Sequence, residues 1–145
     1  SGSGAFFDLP TEAQWEYAAR GGLVGKRYPW GDEITHDNAN STGTGGKDQW
    51  RKCAPVSSFV INGYQLYDVT GNVAEWCSDW YDENYYNNAP PKINQGRPQA
   101  QDEVAWGILD EHDRALGVAA RSSARLDTRY SDIGFRCVSE PVATA

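Results

Sequence analysis

From Gly21 to Lys52 no segment sustains the three-to-four spacing of an amphipathic helix or the alternation of a half-buried strand. Tyr28-Pro29-Trp30-Gly31-Asp32 reads as a rigid aromatic turn, and Asn38 to Lys47 is polar and glycine-rich. So long an irregular stretch inside a compact domain is functional, or is held in place by ions and aromatic side chains. It limits the chain to folds in which loops, not long regular elements, carry most of the backbone. Fifteen Gly, seven Pro, eight Tyr and six Trp suit such a domain, with many turns pinned by large rings.

Regular structure is expected at few places. Thr11 followed by Gln14 forms a capping box, Glu12 complements the positive end of the helix dipole, and Gly21 is a natural C-terminal stop. These signals predict one clear N-terminal helix over about 11–20, with Ala13, Tyr17 and Ala18 sharing a face. Val56 to Ile61 reads as a strand or extended segment. Residues 73–80 leave two readings open. Val73, Trp76 and Trp80 recur at helical spacing, whereas Glu75, Cys77 and Trp80 could alternate along a strand. Residues 84–101 are loop, and Val104 to Trp106, Gly117 to Ala120 and Ile133 to Val138 are the remaining strand candidates.

A formal net charge of −7 opposes binding to phosphate backbones, so neither nucleic acid nor an anionic membrane surface is an expected partner. No apolar run approaches the roughly 20 residues of a membrane helix, so insertion is not expected either. Acidic residues crowd 102–113, followed by Arg114, Arg121, Arg125, Arg129 and Arg136, which read as neutralising that loop. Cys53, Cys77 and Cys137 share no close spacing, which excludes a dense disulfide scaffold and a paired zinc motif. Buried thiols, or one bridge beside one free thiol, are expected. His36 lies in a polar loop and is expected to be solvated. His112, among Asp110, Glu111 and Asp113, could help bind a cation or basic ligand.

Three blocks carry a family resemblance: LPTEAQWEYAARGG at 9–22 with YPWGD at 28–32, NGYQLYDVTGNVAEWCSDWY at 62–81, and AARSSARLDTRYSDIGFRC at 119–137. Together they resemble the sulfatase-modifying-factor, or formylglycine-generating enzyme, family. The resemblance implies an α+β, irregular, loop-rich fold with a C-type-lectin-like core and few short strands, and makes Trp15, Trp30, Trp76 and Trp80 core anchors. It covers 7–138, with 1–6 a linker or cloning remnant and 139–145 a tail. Only the later portion of the family domain is matched, so the expectation is either that another chain or segment supplies the N-terminal part or that this is a reduced variant. The family is compatible with a secreted, periplasmic or cell-surface location.

By the same resemblance, Asp68, Gly71, Val73 and Glu75 match a structural calcium site, with two carboxylates framing a turn whose carbonyls complete the ligand set. A second site maps to Asn40, Ser41, Asp48 and Trp50, where Ser41 and Trp50 contribute backbone oxygen. The same carboxylates also suit turn hydrogen bonds. Family enzymes oxidise a cysteine of a target sulfatase with oxygen and a copper ion held by two thiolates, a soft donor set that Cu(I) prefers. Aligned on Ala119-Ala120-Arg121-Ser122, those two positions are Ile108 and Asp113, so copper and catalysis are not expected.

The expected role is instead a non-catalytic module binding a protein or small-molecule ligand, and the alternative is a divergent formylglycine-generating oxidase. The block at 121–136 also resembles the end of the variable tract in retroelement-diversified binding proteins. That places Trp106, Gly107, Ile108, Leu109, Asp110, His112, Asp113, Ser123, Arg125 and Tyr130 on or near a binding surface.

Overall fold

The computed structural model describes residues 6–80, 103–106, 116–125, 127 and 129–140, with the side chains of Trp80, of 103–106 and of Glu140 left aside. Its elements are β1 (Phe6–Asp8), α1 (Glu12–Arg20), β2 (Ala74–Trp80), β3 (Glu103–Trp106), β4 (Arg121–Ala124), β5 (Ile133–Phe135) and β6 (Val138–Glu140). Among the described residues, one α-helix and several short strands set among long loops make an α+β fold, as expected.

Helix α1 starts and stops where its caps dictate. Extended Thr11 accepts from the Gln14 backbone N–H while its own N–H donates to Gln14 Oε1 at 2.8 Å. Asp79 on β2 accepts from the backbone N–H of Glu12, satisfying a donor of the first turn. Gly21 ends the helix in the left-handed region (φ 57°), and Asn62 Nδ2 donates to the exposed last-turn carbonyls of Ala18 (2.7 Å) and Ala19 (3.0 Å).

The buried face of α1 is not the one that Ala13, Tyr17 and Ala18 share. Glu12, Trp15 and Ala19 face inward, whereas Tyr17 is 68% exposed. The large Trp15 ring takes the core, and Glu12 can be buried because Arg121 Nε lies 2.6 Å from its carboxylate.

Residues 74–80 resolve as strand. The main sheet runs β4-β3-β2-β5, with β2–β3 and β3–β4 antiparallel and β2–β5 parallel. Central β2 pairs Ala74, Glu75 and Trp76 with Ile133, Gly134 and Phe135, and Glu75 and Trp76 with Trp106 and Ala105. A separate two-stranded sheet joins β1 to β6, so Phe6 and Ser139–Glu140 take part in strands beyond the 7–138 span.

Two strand expectations need correction. Val56 to Ile61 forms no strand: Ser57 sits at φ 66°, and only Phe59 of its apolar residues is buried while Val56, Val60 and Ile61 are exposed. Gly117 to Ala120 is a turn closed by Ala120 N–H to Gly117 O at 2.8 Å, and the strand begins at Arg121.

The core gathers Trp15, Ala19, Val69, Cys77 and Val118, with Leu66 packed on it. Trp15 is an anchor as expected. Trp30 and Trp76 are only half-buried, and the aromatic turn instead buries Tyr28, stacked on Trp30 at 5.6 Å. Arg121 pairs with Glu12 and Glu16, and Arg136 with Glu75, so two of the five engage α1 and β2, while most of the acidic loop lies outside the described residues.

Candidate functional site

Two loops carry the expected cation ligands, and they meet. Asn72 N–H donates to Asn40 O at 3.0 Å, and Asn72 Oδ1 accepts from Ala54 N–H at 2.8 Å, which ties the 68–75 turn to the 40–54 loop. The turn is unusual in conformation: Asp68, Gly71 and Asn72 all have positive φ. Gly71 lies so close to the neighbouring loop that a Cβ there would sit 2.1 Å from Asn40 O.

In the first set, Glu75 is 6% exposed and heavily engaged. Oε2 accepts from Trp15 Nε1 (2.7 Å) and Arg136 Nε (2.5 Å), and Oε1 from Arg136 Nη2 (2.6 Å). Asp68 differs. Its Oδ2 accepts from Ser57 N–H at 2.8 Å, but its Oδ1 is buried without a hydrogen-bond partner, as is Thr70 Oγ1. An ionised oxygen removed from water and left unpaired is costly, and a hard cation is the partner such an oxygen best accepts. The first set therefore fits calcium through Asp68.

In the second set Asp48 is fully buried, and four nitrogens surround it. Asn40 Nδ2 (3.2 Å) and Trp50 N–H (3.3 Å) reach Oδ1, and Ser41 N–H (2.9 Å) and His36 Nδ1 (3.3 Å) reach Oδ2. These occupy roughly the four acceptor sites a carboxylate offers, so hydrogen bonds already hold this loop. His36 is correspondingly half-buried rather than solvated. Ser41 Oγ also lies 3.2 Å from its Nδ1, so serine and aspartate share one ring nitrogen. That is not the relay of a hydrolase, which places them on opposite nitrogens. Among the described residues no three His, Cys, Asp or Glu side chains gather as a metal cluster, so either cation set would depend on amide and backbone oxygens.

All three cysteines are free thiols, with Cys77 buried and Cys53 and Cys137 exposed. Burial, then the nearby carboxylates of Asp79, Glu12 and Glu75, push the Cys77 thiol far above its ordinary pKa, so it stays protonated and unreactive. A thiol reagent applied to the native chain should therefore titrate Cys53 and Cys137 rapidly, and Cys77 only after denaturant is added. Rapid native labelling of Cys77, read by mass spectrometry, would contradict the packing of β2 against α1.

Of the expected binding surface, Gly107, Ile108, Leu109, Asp110, His112 and Asp113 lie outside the described residues. Trp106 is placed by its backbone, opposite Arg121 and Glu75 in the sheet. Ser123, Arg125 and Tyr130 are exposed, and Arg125 pairs with Asp127 across 3.2 Å of open surface. The residues that sequence reasoning missed are Arg136, Arg121 and Asp79. Each finds its partner 61 or more positions away, and no local spacing signals that.

Residues 2–141 match the family model described as the sulfatase-modifying factor enzyme 1-like domain. The chain is 38% identical to the formylglycine-generating enzyme of Streptomyces coelicolor, over 94% of the chain and 48% of that enzyme. It is 33% identical to the inactive C-alpha-formylglycine-generating enzyme 2 of Mus musculus, over 90% of the chain and 42% of that protein. Treponema denticola variable protein 1 shares the fold at a TM-score of 0.76 and 31% identity, over 93% of this chain and 48% of that one. The chain thus spans about half the length of the relatives it matches.

Proposed function

Given that the chain belongs to the sulfatase-modifying factor enzyme 1-like family, we propose that it is a non-catalytic module that binds a protein or small-molecule ligand on that scaffold, stabilised by calcium. One observation carries the reading: Ile108 and Asp113 stand where the family's copper-binding thiols are expected, and neither offers sulfur. Cys77 adds support, since its buried, protonated thiol is no substitute ligand. Similarity to a protein named as inactive and to one named as variable supports it further.

Ligand contact is assigned, as the resemblance to the variable tract implies, to the exposed Arg125 and Tyr130 together with Trp106 and the positions from Gly107 to Asp113, which lie outside the described residues. Calcium would be held by Asp68 and Glu75 with the backbone oxygens of Gly71 and Val73, cross-linking a turn that contains three positive-φ residues. A cation at Asn40, Ser41, Asp48 and Trp50 would require the nitrogen donors of Asp48 to turn away, so this is the weaker of the two sets. A further polypeptide segment, on this chain or another, would supply the rest of the family domain. The 48% coverage of the Streptomyces coelicolor enzyme supports this, and so do the exposed Phe6 and Phe7 on β1.

The identity to that enzyme is what favours the alternative, a divergent formylglycine-generating oxidase. Copper titration with an oxygen electrode separates the two. The module reading expects no stoichiometric Cu(I) uptake and no oxygen consumption with a cysteine-containing sulfatase peptide. One bound copper per chain together with peptide oxidation would establish the oxidase.

A further inference from the structure

The calcium set contains a positive charge of its own. Nη2 of Arg136 donates to Glu75 Oε1 at 2.6 Å and reaches Asp68 O at 3.4 Å and Tyr67 O at 3.3 Å. One guanidinium thus bridges the two residues whose carboxylates frame the cation turn. With Nε on Oε2 beside Trp15 Nε1, three donors already occupy the Glu75 carboxylate. Asp68 Oδ1, by contrast, is buried without a partner. The set is half neutralised from within and half left open.

We infer that Arg136 is a positioning residue that competes with calcium for Glu75, an inference resting on the calcium reading above. Two cations drawn to one buried carboxylate repel each other through a medium that screens poorly. Calcium takes six to eight oxygens, and with three of the roughly four acceptor positions of Glu75 already filled, two of them by Arg136, the guanidinium crowds the ion at this carboxylate. Arg136 can withdraw, because its side chain is 24% exposed and it lies just past the end of β5. Because β5 runs parallel to β2 through Glu75–Gly134 and Trp76–Phe135, exchanging guanidinium for calcium also alters how the last strand of the sheet is tethered. Without the ion, Arg136 keeps Glu75 neutralised, and with it the guanidinium is released towards solvent.

The test is calcium titration by calorimetry on the chelator-stripped full chain, comparing wild type with Arg136→Gln. Competition expects Arg136→Gln to bind calcium about tenfold or more tightly than wild type, with a larger calcium-induced rise in unfolding midpoint. Binding by the variant alone supports the inference in its strongest form. Equal or weaker binding by the variant, with wild type binding normally, overturns the competition and leaves the calcium reading standing. Absence of binding in both overturns the calcium reading itself. Should Arg136→Gln fail to fold, the Arg136 Nε–H resonance of the wild type decides. Saturating calcium should move it from its carboxylate-bound position, and an unmoved signal overturns the inference.

Discussion

Gly71→Ala should cost more than about 4 kcal/mol, a large share of the stability of an ordinary domain. Two independent effects add. At φ 75° a residue with a Cβ is strained by about 1–2 kcal/mol. The new Cβ would also sit 2.1 Å from Asn40 O, a backbone atom that already accepts from Asn72 N–H and so cannot move without breaking the tie between the two loops. Gly25→Ala is the matched control. Its φ of 69° is similar, but nothing lies within 4 Å of the added Cβ, so only the conformational cost of about 1–2 kcal/mol should appear. Chemical denaturation of both variants reads the difference. Equal losses would show that the contact between the 40–54 and 68–75 loops is not formed as described.

The second large effect is expected at Glu75→Gln, with a loss of about 3 kcal/mol in urea unfolding. The substitution keeps volume but leaves the Arg136 guanidinium, at 24% exposure, facing a neutral amide whose NH2 group cannot accept its hydrogen bonds. Trp15, on the other side of the carboxylate, loses an ionised acceptor as well. Asp127→Asn sets the scale for a solvated pair. Asp127 and Arg125 are 76% and 78% exposed, so its loss should be within about 0.5 kcal/mol. Because Glu75 and Arg136 touch, the double variant Glu75→Gln/Arg136→Gln should lose less than the sum of the two single losses. Strict additivity would mean that the pair contributes nothing as a pair.

The same two residues show where sequence reasoning succeeded and where it stopped. The turn from Asp68 to Glu75 was singled out by the family resemblance, and its Asp, Gly and Asn suit the left-handed backbone found there. Arg136 was not, because its role depends on the parallel pairing of β5 with β2 and not on any spacing along the chain.

Helix α1 divides in the same way. Its limits follow from Thr11, Gln14 and Gly21, whose capping hydrogen bonds form within a few residues of one another. Its buried face does not follow, because local apolar spacing favoured Ala13, Tyr17 and Ala18. Burial of Glu12 instead became affordable once Arg121, from the far end of the chain, was brought beside it.

Residues 73–80 make the limit plain. Helical and extended periodicities were equally present in that segment, and partners on both sides of β2 decided for strand. The amino-acid sequence by itself thus determined the loop-rich class, the limits of helix α1 and the family, since each rests on residue identity or on bonds between near neighbours. Only the tertiary structure decided the sheet order, the meeting of the 40–54 and 68–75 loops and the arginine partners of Glu12 and Glu75. Those arise when segments distant in sequence exclude water together, and the energy of a buried charge depends on what has been placed next to it.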